Sequence, residues 1–351
     1  MSSLFTPLTL RSVTFPHRVF MSPMCQYSAI EGLPNEWHRI HLVSRAVGGA
    51  ALVFFEATAV TPDGRISDAD LGLWDDHQIP VYRDLVTLLK RHNTVPGIQL
   101  AHAGRKGSTA VPWTGGGALP VGSGWTTLAP SAIPFGALSL PRAMTEQDLN
   151  DVRQAFVEST GRASRAGFEV LELHAAHGYL LHEFLSPLSN RRSDQWGGDL
   201  AGRMRYPLSV VEAVRAAWPA HLPLFVRISA TDWADGGWDL KQSIVFAHAL
   251  KLRGVDLVDC SSGGLVPHVA IPVAPGYQVT FAQDIRKSVS IPTAAVGLIT
   301  DAAQAESIVA TGAADVVLLA RALLRTPYWA RDAARALGSP LAWPHPYERA
   351  G

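Results

Sequence analysis

Two patterns alternate along the chain. Short, near-continuous apolar runs occupy Val19–Met24, Ala51–Ala57, Gly97–Ala101, Val170–His174, Leu224–Ile228, Leu257–Cys260, Thr293–Val296 and Val316–Leu319. Runs of this length without polar alternation suit parallel strands covered by helices. The stretches between them have helical spacing. Thr145-Glu146-Gln147-Asp148 forms a cap and an acidic first turn before Leu149, Val152, Phe156 and Val157. A second helix is predicted from Thr300-Asp301 to Gly312, with Ile308 and Val309 facing inward. Pro219 closes one over Arg203–Trp218, and Gly254 follows one over Ser243–Arg253. Eight strands with crossover helices predict an α/β fold, a single-domain (β/α)8 TIM barrel over residues 1–351.

One segment breaks the repeat. Ser108–Pro141, after the third strand, is dominated by Gly, Pro, Ser and Trp and reads as a loop insertion over the barrel mouth. Its Gly run is no dinucleotide fingerprint, because neither a strand before it nor a helix after it is present.

Charge narrows the partners. Lys plus Arg and Asp plus Glu each number 30 among 351 residues. This balance leaves no electrostatic footprint for nucleic acid or an anionic membrane, and a small-molecule partner is expected. The start lacks a basic segment followed by an apolar core, and no apolar run is long enough to span a bilayer, so a cytoplasmic protein is expected. Cys25 and Cys260 are too few for a disulfide framework or an iron–sulfur cluster, and they lie on strands that are not barrel neighbours.

In such barrels the chemistry lies at the C-terminal ends of the strands. Those exits carry Cys25 with Tyr27, Glu56-Ala57, Gln99 with His102, His174 with His177 and Tyr179, Arg227, Ser261-Ser262-Gly263-Gly264, Gly297, and Ala320-Arg321. Small residues at Gly297 and Ala320 let backbone N–H groups approach an anion, and Arg321 adds a guanidinium fork. Arg227 sits within an apolar strand and requires a polar partner, either a ligand heteroatom or a carboxylate such as Glu56 or Glu172. Gln99 offers a donor and an acceptor to the edge of a planar heterocycle. Together these suggest a mononucleotide-like cofactor. His174 and His177 also have metal-ligand spacing, with His182 or Glu183 able to complete a site, so a metal-dependent hydrolase remains open. A non-catalytic flavin or metabolite binder is a further alternative.

The ordered motifs F-M-S-P-M-C-Q-Y-S, E-A-T-A-V, Q-L-A-H-A-G-R-K, E-L-H-A-A-H-G-Y-L-L-H-E-F-L-S-P, L-F-V-R-I-S-A, V-D-C-S-S-G-G and A-L-L-R-T-P-Y-W cover nearly the whole chain. They resemble the old yellow enzyme family, in particular its bacterial Cys-containing subclass that includes the xenobiotic reductases. The resemblance implies a barrel with non-covalent FMN, held by Ser22, Pro23, Met24, Cys25, Ala57, Gln99, Arg227, Ser261, Gly297, Ala320 and Arg321. It implies ping-pong turnover, with NADPH or NADH as electron donor and enones, enals, maleimides or nitro compounds as acceptors. His174 and His177 would bind the substrate oxygen, Tyr179 would protonate the α-carbon, and Cys25 and Tyr27 would line the pocket. It further implies a homodimer or dimer of dimers in which the tail 340–351 carries Arg349 into a neighbouring active site. Three features depart from the family pattern: Ala320 stands where many relatives have Gly, the terminus reads Y-E-R-A-G rather than Y-E-R-G-W, and the loop from Ser108 to Trp125 is longer.

Overall fold

Each of the eight apolar runs forms a strand, and the eight close into one parallel barrel. In chain order they are β1 (Val19–Met21), β2 (Leu52–Ala59), β3 (Val95–Ala101), β4 (Val170–Ala175), β5 (Leu224–Ser229), β6 (Leu257–Ser261), β7 (Thr293–Ala295) and β8 (Val316–Leu319). β8 pairs with β1 through Leu318 opposite Phe20, which seals the cylinder. The computed structural model describes residues 2–120 and 122–350. Every residue of these strands is buried, as parallel strands covered on their outer face require.

The barrel interior is layered. Its N-terminal end is filled by Phe20, Leu52, Phe54, Phe225, Leu257 and their neighbours. A hairpin of Leu8–Leu10 and Val13–Phe15 closes that end, adding Leu10, Val13 and Phe15 to the same cluster. Phe15 packs on Phe20 with ring centroids 4.7 Å apart. Fully burying one such side chain stabilises the fold by about 1.5–3 kcal/mol. One end of the barrel is thereby an apolar plug, and polar side chains gather at the other.

Caps set the helix boundaries. Thr145 accepts from the Asp148 N–H and Asp148 accepts from the Thr145 N–H, starting Glu146–Ala166, which ends at Gly167 with φ 93°. Asp301 caps Ala302–Ala310, where Ile308 is buried and Val309 half-buried. Two helices start three residues before the positions expected from apolar spacing. Leu200–Ala217 is capped by Asp199, and Leu240–Leu252 by Asp239, each accepting the N–H three residues on. Their first turns carry little apolar signal, so the caps mark the true starts.

The segment 108–141 has internal structure. It contains a 3-10 turn at Pro112–Thr114 and a short strand, Leu128–Ala129, paired with Arg142–Ala143. Trp125 anchors it to the loop after β2 by donating to the Asp63 carbonyl at 2.8 Å, with the Arg65 guanidinium 5.2 Å from its ring centre. Among the described residues, no helix is long and apolar enough to cross a membrane.

Candidate active site

Above the apolar plug the inward-facing positions turn polar. Ala57 on β2 stands in register with Gln99 on β3, and Gln99 with Glu172 on β4. His174 stands beside Arg227 on β5, and Arg227 beside Asp259 on β6. Gln99 donates its amide N–H to Glu172 at 2.8 Å. Arg227 Nε lies 3.0 Å from Asp259 Oδ2, an ion contact that is not aligned as a hydrogen bond, and Nη1 donates to Ser22 Oγ at 3.0 Å. The carboxylate beside Arg227 is therefore Asp259. Glu56, an expected candidate, instead accepts from the Gln26 N–H and contacts His38 at 3.2 Å. Glu172, the other candidate, takes the Gln99 amide as its hydrogen-bond donor.

The β4 exit delivers the three side chains that its motif singled out. His174 meets the His177 ring at 5.2 Å and 85°, and the Tyr179 ring at 4.9 Å and 68°. His177 has φ 57°, and its N–H donates to Ser229 Oγ at 2.9 Å. Its Nε2 lies 2.6 Å from Ser261 Oγ. Burial first, and the Arg227 charge second, push both imidazoles well below their ordinary pKa, so they work as neutral rings. Burial pushes the Tyr179 phenol up, with Cys25 and Tyr27 adding to the shift, so it holds its proton at neutral pH.

The two residues considered as a third metal ligand are engaged elsewhere. His182 accepts from the Gly178 N–H at 2.9 Å and lies 2.9 Å from Asp232, while Glu183 accepts from the Arg105 N–H at 2.8 Å. His182 thus braces the loop that carries His177 and Tyr179, and Glu183 holds the turn after β3. Among the described residues no group of three His, Cys, Asp or Glu is placed to hold a metal ion.

At the β7 and β8 exits a cavity of about 220 Å3 is lined by Arg227, Ser261, Gly297, Ala320, Arg321 and Arg325, among others. Gly297 has φ 118°, and a Cβ there would stand 2.7 Å from Gln278 Nε2. Gln278 bridges the exits of β6 and β7, accepting from Ser262 Oγ at 2.6 Å and donating to the Val296 carbonyl at 2.8 Å. Three arginines, small residues and hydroxyls in one cleft fit the phosphate and polyol of FMN. Arg227, Ser22 and Gln99 fit the polar edge of its ring. Ser22 also ties the β1 exit to β8 by donating its N–H to the Leu319 carbonyl at 2.9 Å.

A second cavity, about 370 Å3, opens at the mouth and is lined by Tyr27, Lys106, Phe135 and Tyr179, with further residues of 108–141. Pro23, Met24 and Cys25 are half-buried on the loop leading to Tyr27. Burial raises the Cys25 thiol well above its ordinary range, with Asp70 and Glu56 next in effect, so it stays a thiol. Cys25 and Cys260 are both free. Among the described residues Arg349 lines neither cavity; it is exposed in the terminal turn His345–Ala350.

Four neighbours of this site were not singled out from the sequence: Asp259, Gln278, Lys106 and Asp70. Asp259 carried a readable signal, since it is the one charged residue within an apolar strand next to the strand of Arg227. Lys106 and Asp70 lie on loops and reach the site only through the fold.

The NADH:flavin oxidoreductase / NADH oxidase family pattern matches residues 3–339. The NADPH dehydrogenase of Geobacillus thermodenitrificans (strain NG80-2) is 49% identical over 349 residues, 99% of this chain and 98% of that protein. The NADPH dehydrogenase of Listeria monocytogenes serotype 4a (strain HCC23) is 47% identical over 353 residues, 100% of this chain and 99% of that protein. Morphinone reductase superposes with a TM-score of 0.80 at 26% identity, over 97% of this chain and 91% of its own. The chain therefore belongs to the NADH:flavin oxidoreductase / NADH oxidase family, as an NAD(P)H-dependent oxidoreductase of old yellow enzyme type that uses FMN.

Proposed function

We propose that the protein is an ene-reductase that takes hydride from NADPH or NADH and reduces the activated C=C bond of enones, enals, maleimides or nitroalkenes in ping-pong turnover. FMN, when bound, supplies hydride acceptance from the nicotinamide and hydride donation to the β-carbon. His174 and His177, neutral and side by side, donate hydrogen bonds to the substrate oxygen and stabilise the negative charge that develops there. Tyr179 gives its phenol proton to the α-carbon. Tyr27, Cys25 and segment 108–141 shape the mouth that admits the acceptor. Two or four copies assemble so that Arg349 of one completes the mouth of another.

The observation that carries this reading is the packing of His174 against both His177 and Tyr179, with His174 Nδ1 buried and without a hydrogen-bond partner. Morphinone reductase, solved with tetrahydroNAD, lends support from outside the chain. The test is anaerobic. Holoenzyme bleached by NADPH should recover its yellow colour on adding 2-cyclohexenone or N-ethylmaleimide, with one saturated product formed per flavin reoxidised. Flavin that is reduced by NADPH yet stays reduced across such a panel would sink the ene-reductase reading.

A further inference from the structure

The polar layer inside the barrel holds two carboxyls and one guanidinium, all out of water: Glu172 and Asp259 are 0% exposed and Arg227 is 6% exposed. If both carboxyls were ionised, the layer would carry an uncompensated charge in a dry interior, which costs several kcal/mol. A neutral carboxyl at one of the two positions removes that cost, and the contacts of the two differ. Asp259 touches the guanidinium at 3.0 Å, whereas the Glu172 hydrogen-bond partner is the neutral Gln99 amide, which donates to Oε1 and leaves Oε2 free to carry a proton. Burial raises both carboxyls; at Asp259 the Arg227 charge opposes the rise, whereas at Glu172 the Asp259 charge adds to it. Arg227 in turn serves two sides, since it contacts Asp259 and also lines the cavity assigned to FMN.

We propose that Asp259 is a positioning residue that shares the charge of Arg227 while Glu172 remains a neutral acid, and that this sharing lowers the reduction potential of the bound FMN. The proposal rests on FMN occupying the Arg227 cavity. Reduced flavin carries more negative charge than oxidised flavin, so an unshared guanidinium favours the reduced form. A carboxylate against the same guanidinium takes back part of that preference and leaves a stronger hydride donor.

The test is the midpoint potential of the holoenzyme, followed by flavin absorbance against a reference dye. Added to Glu172→Gln, so that no second carboxyl can take up the charge, Asp259→Asn should shift the reduction equilibrium at least tenfold toward reduced flavin, about 30 mV for a two-electron couple. Glu172→Gln exchanges one neutral group for another and should change it less than twofold. An unmoved potential when Asp259→Asn is added to Glu172→Gln, or a tenfold shift in Glu172→Gln alone, overturns the proposal. A second measurement does not depend on how Asp259→Asn folds. The infrared difference between wild type and Glu172→Gln at pH 8 should show the loss of a carboxylic acid C=O band that shifts in D2O; the loss of carboxylate bands instead would place the charge on Glu172 and overturn it. Neither readout involves an alkene, so a failure here is distinct from a failure of the ene-reductase reading.

Discussion

The Lys106 ammonium lies 2.8 Å from the His177 carbonyl oxygen, which ties the loop after β3 to the loop that carries His177 and Tyr179. The same nitrogen lies 3.0 Å from the Gly264 carbonyl, 4.5 Å from the Phe135 ring centre and 5.1 Å from that of Tyr179. His177 holds a left-handed backbone at φ 57°, which costs a non-glycine residue on the order of 1–2 kcal/mol. Charge-assisted hydrogen bonds worth about 1.5–3 kcal/mol offset that strain. Lys106→Met should therefore lower kcat/KM for the alkene roughly 10- to 100-fold. FMN content should stay normal, and Lys106→Arg should recover part of the loss. Steady-state kinetics with flavin absorbance checks this; a Lys106→Met enzyme with wild-type kcat/KM would show that the strap is dispensable.

Tyr179→Phe keeps the ring against His174 and removes the phenol hydroxyl with its proton. Reduction of the flavin by NADPH needs no proton from this phenol, so its stopped-flow rate should change less than threefold. Reoxidation by an enone should slow by roughly 10²–10⁴, the usual contribution of a general acid. Equal slowing of both half-reactions would remove Tyr179 from the proton-donor role.

How far the site could be read from sequence depended on the kind of interaction. Strands buried on both faces announce themselves as apolar runs, so all eight barrel strands and their polar exits were legible. The Leu8–Leu10 and Val13–Phe15 hairpin was not, because three-residue strands of half-exposed character carry little pattern. The apolar strand around Arg227 calls for a polar partner, a ligand heteroatom or a carboxylate such as Glu56 or Glu172, and the carboxylate found beside it is Asp259. Partner choice depends on the register between β5 and β6, which local patterning does not encode. Lys106 was missed for a similar reason: its two carbonyl partners are 71 and 158 residues away in sequence.

Gly297 is a position where a side chain should interfere with the cofactor. Its φ of 118° belongs to glycine, and a Cβ would press on Gln278 Nε2 at 2.7 Å and Tyr277 Cε1 at 3.0 Å, both residues lining the cavity. Strain of about 1–3 kcal/mol should weaken FMN binding roughly 10- to 100-fold in Gly297→Ala. Titrating apoprotein into FMN and following the quenching of flavin fluorescence measures it. An unchanged dissociation constant would mean that this turn does not contact the cofactor.

Asp70 gives the site a pH dependence whose sign can be worked out. Its carboxyl accepts from Ser67 Oγ at 2.7 Å and the Ile66 N–H at 2.8 Å, and it shares a small cavity with Ala57 and Tyr179. Burial pushes its pKa up to about 7 despite the two hydrogen bonds. Below that pH the group is neutral; above it, a negative charge stands near Tyr179 and makes the phenol a weaker acid. Alkene reduction should fall as pH rises through about 7, while flavin reduction by NADPH should not share that limb. Folding follows the same sign: a raised carboxyl pKa contributes stability below its unfolded value near 3.9, and that contribution is lost as pH rises through the folded value. Asp70→Asn keeps both hydrogen bonds if the Ser67 hydroxyl reverses its role, and it cannot ionise. The variant should flatten the limb of the alkene half-reaction and gain stability relative to wild type at pH 8 compared with pH 5. Half-reaction rates and thermal melts at the two pH values check both, and a limb near pH 7 that survives in Asp70→Asn would assign it to another group.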